Sequence, residues 1–269
     1  MNYSYYEQLA KVSNQITVDS TWTQGRSVFG GMTAALVLTH IESQTGLGDR
    51  DLRTINIHFC GPAAQDEPCE LRCKVLSEGK SVVQVEGQLL QNNEVKTMVI
   101  ACFGRPRVSG VQLTPPPMLF DKSPEQGMQM PFIKGVVPDF IEYLDTRYTS
   151  TALPYSGSDN SVISGWVRFI EGPEVFSDSA ILALIDAWPP AVMPMLKQRA
   201  PTSSITWNVE FTQPRTALAA TDYLYYHCEV VQADLGYAHT DGKIFHPNGQ
   251  LLALSRQLVG VYDQPRSAG

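Results

Sequence analysis

Hydrophobic residues fall along this chain in two patterns. In most segments they alternate with polar ones at the period of a half-buried strand: Arg53 to Phe59, Cys69 to Ser77, Val82 to Leu90 and Val95 to Phe103 in the first half. The second half repeats the pattern at Tyr143 to Thr151, Ser161 to Phe169, Ile205 to Phe211, Tyr223 to Gln232, Tyr237 to Phe245 and Leu251 to Tyr262. Ile16 to Trp22 also alternates, and Gly61-Pro62, Glu78-Gly79 and Asn92-Asn93 supply turns. In two places the alternation gives way to a predominantly apolar run. Met32 to Ile41 follows a Gly25 to Gly31 loop and ends near Gly46. Ala180 to Ile185 has Ser177 or Asp178 as its N-cap and Pro189-Pro190 to forbid continuation, so the spacing predicts a helix over 178–188. A helix that is apolar on nearly every side must be wrapped by something larger than one neighbouring helix. Residues 1–15, with Tyr5, Tyr6, Leu9 and Val12 at helical spacing, read as an amphipathic lead-in.

The order strand, buried helix, antiparallel meander thus occurs twice. Thr54-Ile-Asn56-Ile-His-Phe59-Cys-Gly-Pro62 matches Thr206-Trp-Asn208-Val-Glu-Phe211-Thr-Gln-Pro214 at a constant spacing of 152 residues, Thr54 against Thr206. Cys73 against Cys228 and Gly87 against Gly242 share a spacing of 155, as a short insertion requires. The sequence therefore predicts an α+β protein of two copies of one fold. Residues 1–105 form the first repeat, 106–138 a proline-rich linker and 139–269 the second repeat. Apolar linker residues such as Met118, Phe120, Met130 and Phe132 imply that it is pinned to a core.

Composition narrows the function classes. A net charge of −7 with no Lys/Arg run argues against a nucleic-acid surface. No charged-then-apolar leader and no apolar run of about 18 residues is present, so no membrane span is indicated and the expected compartment is the cytoplasm. Five cysteines without a Cys-x-x-Cys pair give no metal site. No Gly-x-Ser-x-Gly elbow and no dinucleotide or phosphate loop occurs, and no cofactor is implied.

One residue breaks the pattern of its element. Asp186 ends the second apolar helix, where water is scarce, and a buried carboxylate must be hydrogen-bonded or carry a raised pKa. Such groups concentrate at active sites; the plainer reading is that Asp186 caps a neighbouring loop or receives a backbone amide near the Pro189-Pro190 turn.

A long apolar helix wrapped by a curved antiparallel sheet, duplicated in one chain, resembles the double hotdog architecture. Trp22-x-x-Gly25-x-x-x-Phe29-Gly30-Gly31 before the first helix is similar to the N-terminal repeat of bacterial acyl-CoA thioesterase II and related thioesterase-like proteins. In that family an Asp on the second central helix, a Thr or Ser just before the next strand and a Gln in the last strand hold the hydrolytic water. The similar positions here are Asp186, Ser204 and Gln257. Ser204 replaces the usual Thr but keeps the hydroxyl, while Trp188-Pro189-Pro190 follows Asp186 where a continuing helix is expected. The resemblance implies hydrolysis of an acyl-CoA thioester without a metal, Asp186 acting on water and a backbone amide binding the oxyanion. It also implies substrate contact near Phe29, Gly30 and Gly31, and a homodimer or larger assembly. Arg26, Arg105, Arg107 and Arg256 are candidates to meet CoA phosphates.

Each residue also has a plainer reading. Gln257, whose counterpart at the spacing of 155 is Cys102, fits an interior strand residue paired with backbone, and Ser204 a strand-opening hydroxyl. Two other functions fit the same fold. One is a non-catalytic acyl-CoA or lipid-binding protein whose site Trp188-Pro189-Pro190 distorts. The other is an enoyl-CoA hydratase using Asp234 and His239, whose spacing falls across a strand turn rather than at a helix start.

Overall fold

The computed structural model describes residues 1–264. An N-terminal helix, α1 (Tyr3–Val12), is capped by Asn2, whose Oδ1 accepts from the Tyr5 amide at 3.1 Å. Strand β1 (Gln15–Thr17) and a small hairpin, β2 (Thr23–Gln24) with β3 (Ser27–Val28), lead into α2 (Gly30–Gln44). The first meander follows as β4 (Asp51–Phe59), β5 (Pro68–Glu78), β6 (Val82–Gln91) and β7 (Glu94–Gly104). After the proline-rich segment come β8 (Met128–Gln129), β9 (Leu144–Tyr148), β10 (Val162–Phe169) and α3 (Asp178–Ile185). The second meander is β11 (Thr202–Phe211), β12 (Leu224–Asp234), β13 (Tyr237–Phe245) and β14 (Leu251–Val261). No helix among the described residues is long and apolar enough to cross a membrane.

All strands except the β2–β3 hairpin join one twelve-stranded sheet in the order β1-β5-β6-β7-β4-β11-β14-β13-β12-β10-β9-β8. The two half-sheets meet where β4 pairs antiparallel with β11. Asn56 sits opposite Asn208, its equivalent in the sequence repeat, and Asn208 Nδ2 donates to Asn56 Oδ1 at 2.9 Å. A pseudo-twofold axis therefore passes through this pair. Register confirms the repeat elsewhere: Cys73 faces Gly87 in the first half, and Cys228 faces Gly242 in the second. The last strands carry one residue more of displacement. Ile55 pairs with Ala101 and its equivalent Trp207 pairs with Gln257, so the counterpart of Gln257 is Ala101 and not Cys102.

Each half-sheet wraps one helix, which makes each repeat a hotdog unit. Residues Gly31 to Ile41 of α2 and Ser179 to Ile185 of α3 are buried without a break, as two helices enclosed by sheet on one side and by each other on the other require. The helices run antiparallel. Thr39 on α2 donates to Ser179 Oγ near the start of α3 at 2.9 Å, while Gly30 and Gly31 at the start of α2 meet Asp186 at the end of α3.

Two departures from the alternation pattern have local causes. Of the expected 16–22 strand only Ile16 and Thr17 form, within β1; Asp19 accepts from the Thr21 amide at 2.9 Å and draws Ser20 to Trp22 into a 3₁₀ turn. The second helix stops at Ile185 rather than 188, one turn ahead of Pro189-Pro190. The proline-rich segment lies on the outer face of the second half-sheet, where Met118 and Phe120 pack against Trp166, Tyr225 and Phe245. It also contributes β8 to the sheet edge.

The short α3 depends on its cap. Ser177 Oγ accepts from the Ala180 amide at 3.1 Å and also bonds the Glu7 carboxylate, which is buried at the start of α3 together with Tyr3 and Ser179. Ser177→Ala removes the cap and one partner of a buried carboxylate, so it is expected to lower unfolding free energy by about 1–2 kcal/mol, read as a shift in urea midpoint with unchanged slope.

Candidate active site

Asp186 closes α3, its amide donating to Leu182 O at 3.3 Å before the chain turns into Pro189-Pro190. Its carboxylate lies against the first turn of α2. A Cβ on Gly30 would come within 3.0 Å of Asp186 Oδ2, and a Cβ on Gly31 within 3.0 Å of Asp186 Cβ and 2.5 Å of the Phe29 ring, so only glycine lets the two helix ends approach this closely. Burial is the strongest influence on the carboxyl and pushes its pKa up to about 7. Hydrogen bonds from the Gln257 side chain and the Gly31 backbone amide favour the anion and oppose that rise. Gln257 Nε2 donates to Asp186 Oδ1 at 3.1 Å.

Ser204 reaches the same place through an irregularity in its strand. Trp207, Val209 and Phe211 of β11 face the core, while Thr206, Asn208 and Glu210 face outward. Continued alternation would turn Ser204 outward as well. A bulge at Ile205, with Ser204 opposite Val259 and Thr206 opposite Leu258, resets the phase and puts Ser204 on the inward face beside Gln257. Ser204 Oγ donates to Gln257 Oε1 over a long 3.4 Å. Ser204, Gln257 and Asp186 thus form one continuous chain of contacts.

These groups line a cavity of about 320 Å³ between the two repeats. The first repeat contributes Gly30, Thr33, Phe59 and Thr97, and the second contributes Asp186, Trp188, Ser204 and Gln257. Thr97 Oγ1 donates to Thr33 Oγ1 at 2.9 Å and Thr33 Oγ1 to Gly30 O at 2.9 Å, which fastens the first turn of α2 to β7. Thr33 was legible only as a polar residue interrupting an apolar run, and Thr97 carried no signal. Phe29, expected beside the substrate, is buried, stacks on Phe140 with centroids 3.9 Å apart, supports the turn from behind and is not among the residues lining this cavity. Of the candidate arginines, Arg105 pairs with Asp49 at 2.6 Å and Arg256 with Asp241 at 3.1 Å, both off the cavity, whereas Arg26 sits in the turn between the cavity-lining Gln24 and Ser27. Asp234 and His239 are exposed on the β12–β13 hairpin and do not line the cavity. A larger groove of about 1220 Å³ at that hairpin holds none of the three contacting residues. No group of three or more His, Cys, Asp or Glu side chains among the described residues is arranged to hold a metal.

Two hotdog repeats sharing one cavity, with a desolvated carboxylate opposite a helix N-terminus, define a double hotdog protein. Comparison with known families makes this specific: residues 18–104 match the model of the acyl-CoA thioesterase N-terminal domain and residues 123–261 that of the acyl-CoA thioesterase C-terminal domain, and the chain belongs to this family. Among solved structures, a conserved hot dog fold protein of unknown function from Alicyclobacillus acidocaldarius superposes with a TM-score of 0.81 at 21% identity over 93% of both chains. The acyl-CoA thioesterase II TesB2 from Mycobacterium marinum gives 0.72 at 19% identity over 94% of both. The tesB protein of Mycobacterium avium subs paratuberculosis gives 0.74 at 14% identity, over 98% of this chain and 100% of the other. At these identities the likeness is one of fold. A comparison with curated proteins gave no match.

The raised pKa of Asp186 has a consequence for stability. Below about pH 4 the group is protonated in both folded and unfolded chains; between about 4 and 7 the folded state alone retains the proton, and above 7 the folded state carries a desolvated charge. Asp186→Asn is therefore expected to be no more stable than the unaltered protein near pH 4, and to gain on the order of 4 kcal/mol relative to it by pH 8. Paired thermal melts at the two pH values measure the difference.

Proposed function

We propose that the chain hydrolyses acyl-CoA thioesters in the cavity between its repeats, with Asp186 as general base. The observation that carries this reading is a carboxylate whose pKa, pushed up to about 7, suits proton transfer at neutral pH, joined through Gln257 to a hydroxyl and facing the positive end of a 15-residue helix. Ser204 gives its proton to Gln257 Oε1, which leaves the hydroxyl lone pairs free to accept. A water bound here donates one hydrogen to Asp186 and the other to Ser204, and its lone pair is then directed at the thioester carbon. Attack forms the C–O bond and moves charge onto the carbonyl oxygen, while Asp186 takes the proton. The N–H of Gly30, the first-turn residue of α2 at the cavity wall, stabilises that oxyanion, since the Gly31 amide is held by Asp186 and those of Met32 and Thr33 by Phe29 O. Collapse breaks the C–S bond, and the departing thiolate recovers the proton from Asp186. One water is consumed, and a free acid and CoA are released.

Arg26 at the cavity mouth is the residue that this reading assigns to the CoA phosphates. Assembly of several chains belongs to the same reading: β1 covers only Pro68 to Glu70 of β5, which leaves the rest of that strand as an edge for another copy.

Thiol release from a panel of short, medium, long and aromatic acyl-CoAs tests the proposal. Asp186→Asn is expected to lower kcat by about 10²–10⁴-fold with acyl-CoA binding retained, and Gln257→Ala and Ser204→Ala by roughly 10²-fold. Because the anion is the active form, kcat/KM is expected to rise about tenfold per pH unit up to about pH 7 and then level. Equal hydrolysis by the Asn variant would remove Asp186 from the mechanism. Binding of every acyl-CoA with hydrolysis of none would favour the non-catalytic binding protein.

A further inference from the structure

We infer that Trp188 sets the depth of the acyl site and restricts this chain to short acyl groups, an inference that rests on reading the cavity as the acyl-CoA site. A thioester carbonyl held between Asp186 and the first turn of α2 can extend its chain only where packing leaves room. On the side of the first repeat α2 closes directly onto β6, since a Cβ on Gly87 would come within 2.5 Å of Val37 Cγ1 and 2.7 Å of Ile41 Cδ1. On the side of the second repeat, Trp188 stands two residues past Asp186, forms part of the cavity wall and is 5% exposed.

Behind Trp188 the space between α3 and its sheet is filled with aromatic rings. Tyr226 of β12 stacks on the indole with centroids 5.4 Å apart and planes 5° from parallel, and Tyr148 of β9 meets it edge-on at 5.0 Å. Gly165 of β10 makes room for the far edge of the ring, because a Cβ there would lie 2.6 Å from Trp188 Cη2. The indole is thus seated in a slot in the second repeat with one side turned to the cavity.

Hydrogen bonding separates this ring from the other tryptophans. Trp22 donates to Met1 O at 2.8 Å, Trp166 to Lys122 O at 2.9 Å and Trp207 to Ser255 Oγ at 2.8 Å. Trp188 Nε1 is buried and has no acceptor. A buried donor left unmade is unfavourable, so the position of this ring is fixed by the volume it fills and not by a polar contact. Removing the ring joins the cavity to the space in front of Tyr148 and Tyr226 and lengthens the path for an acyl chain.

The test uses the full chain with Trp188→Phe, Trp188→Leu and Trp188→Ala, each checked for folding by its thermal melt, the Phe variant preserving an aromatic ring in the slot. Hydrolysis is measured on butanoyl-CoA and dodecanoyl-CoA, and binding on the corresponding non-hydrolysable thioethers by calorimetry. The unaltered protein is expected to favour the butanoyl compounds. The dodecanoyl-to-butanoyl ratio of kcat/KM is expected to rise in the order Phe, Leu, Ala, by about tenfold or more for the Ala variant, with the thioether affinities moving the same way. An unchanged ratio in folded variants, or a preference for dodecanoyl-CoA in the unaltered protein, overturns the inference while leaving hydrolysis intact. If no variant hydrolyses either compound yet thioether binding shifts toward the longer chain, the assignment of Trp188 stands and the hydrolytic reading falls. If thioether binding is indifferent to chain length throughout, the assignment falls whatever hydrolysis shows.

Discussion

The antiparallel pairing of β4 with β11 decides where every other part of this molecule lies. It joins two half-sheets across a pseudo-twofold axis at Asn56 and Asn208, and a twofold operation turns the second enclosed helix antiparallel to the first. The electropositive start of α2 is thereby brought against the end of α3. Neither repeat could make this junction alone. The cavity is a property of the seam, and its walls come from both halves of the chain.

At that seam the protein holds a carboxylate in a balance between opposed influences. Loss of water disfavours the charge, while the Gln257 amide and the Gly31 backbone N–H favour it, and the first influence prevails only far enough to bring the group to about 7. Fewer donors would leave an inert neutral acid, and more would leave a weak base. Glycine at positions 30 and 31 is part of this balance, since any side chain there would push the helix ends apart and admit solvent.

Much of this arrangement was legible in the sequence, for identifiable reasons. Two enclosed helices and two meanders follow from predominantly apolar runs set among alternating segments, and the 152-residue repeat matched the strands that pair at the axis. Asp186 stood out because a charge at the end of an apolar helix is costly to bury. The orientation of Ser204 was not legible: alternation sends it outward, and the bulge at Ile205 that turns it inward has no residue signature. Thr97 lay hidden for a similar reason, being one inward-facing residue among several on β7. The direction of the Phe29 ring was not legible either, because proximity in sequence to Gly30-Gly31 does not say which way a ring turns; here it turns into the core. The partner of Gln257 was misaligned by one residue because the longer turn before β14 displaces the last strand.

The same twofold operation that creates the junction of α2 with Asp186 also creates a mirror junction, where the start of α3 meets the far half of α2. There α1 has laid its buried Glu7 and Tyr3 against Ser177 and Ser179, so a resident carboxylate meets the start of α3 where no cavity is left. The two junctions of a duplicated fold are therefore not equivalent: this one is a joint that anchors the N-terminal helix, and the first repeat is held to the second as a partner that cannot dissociate.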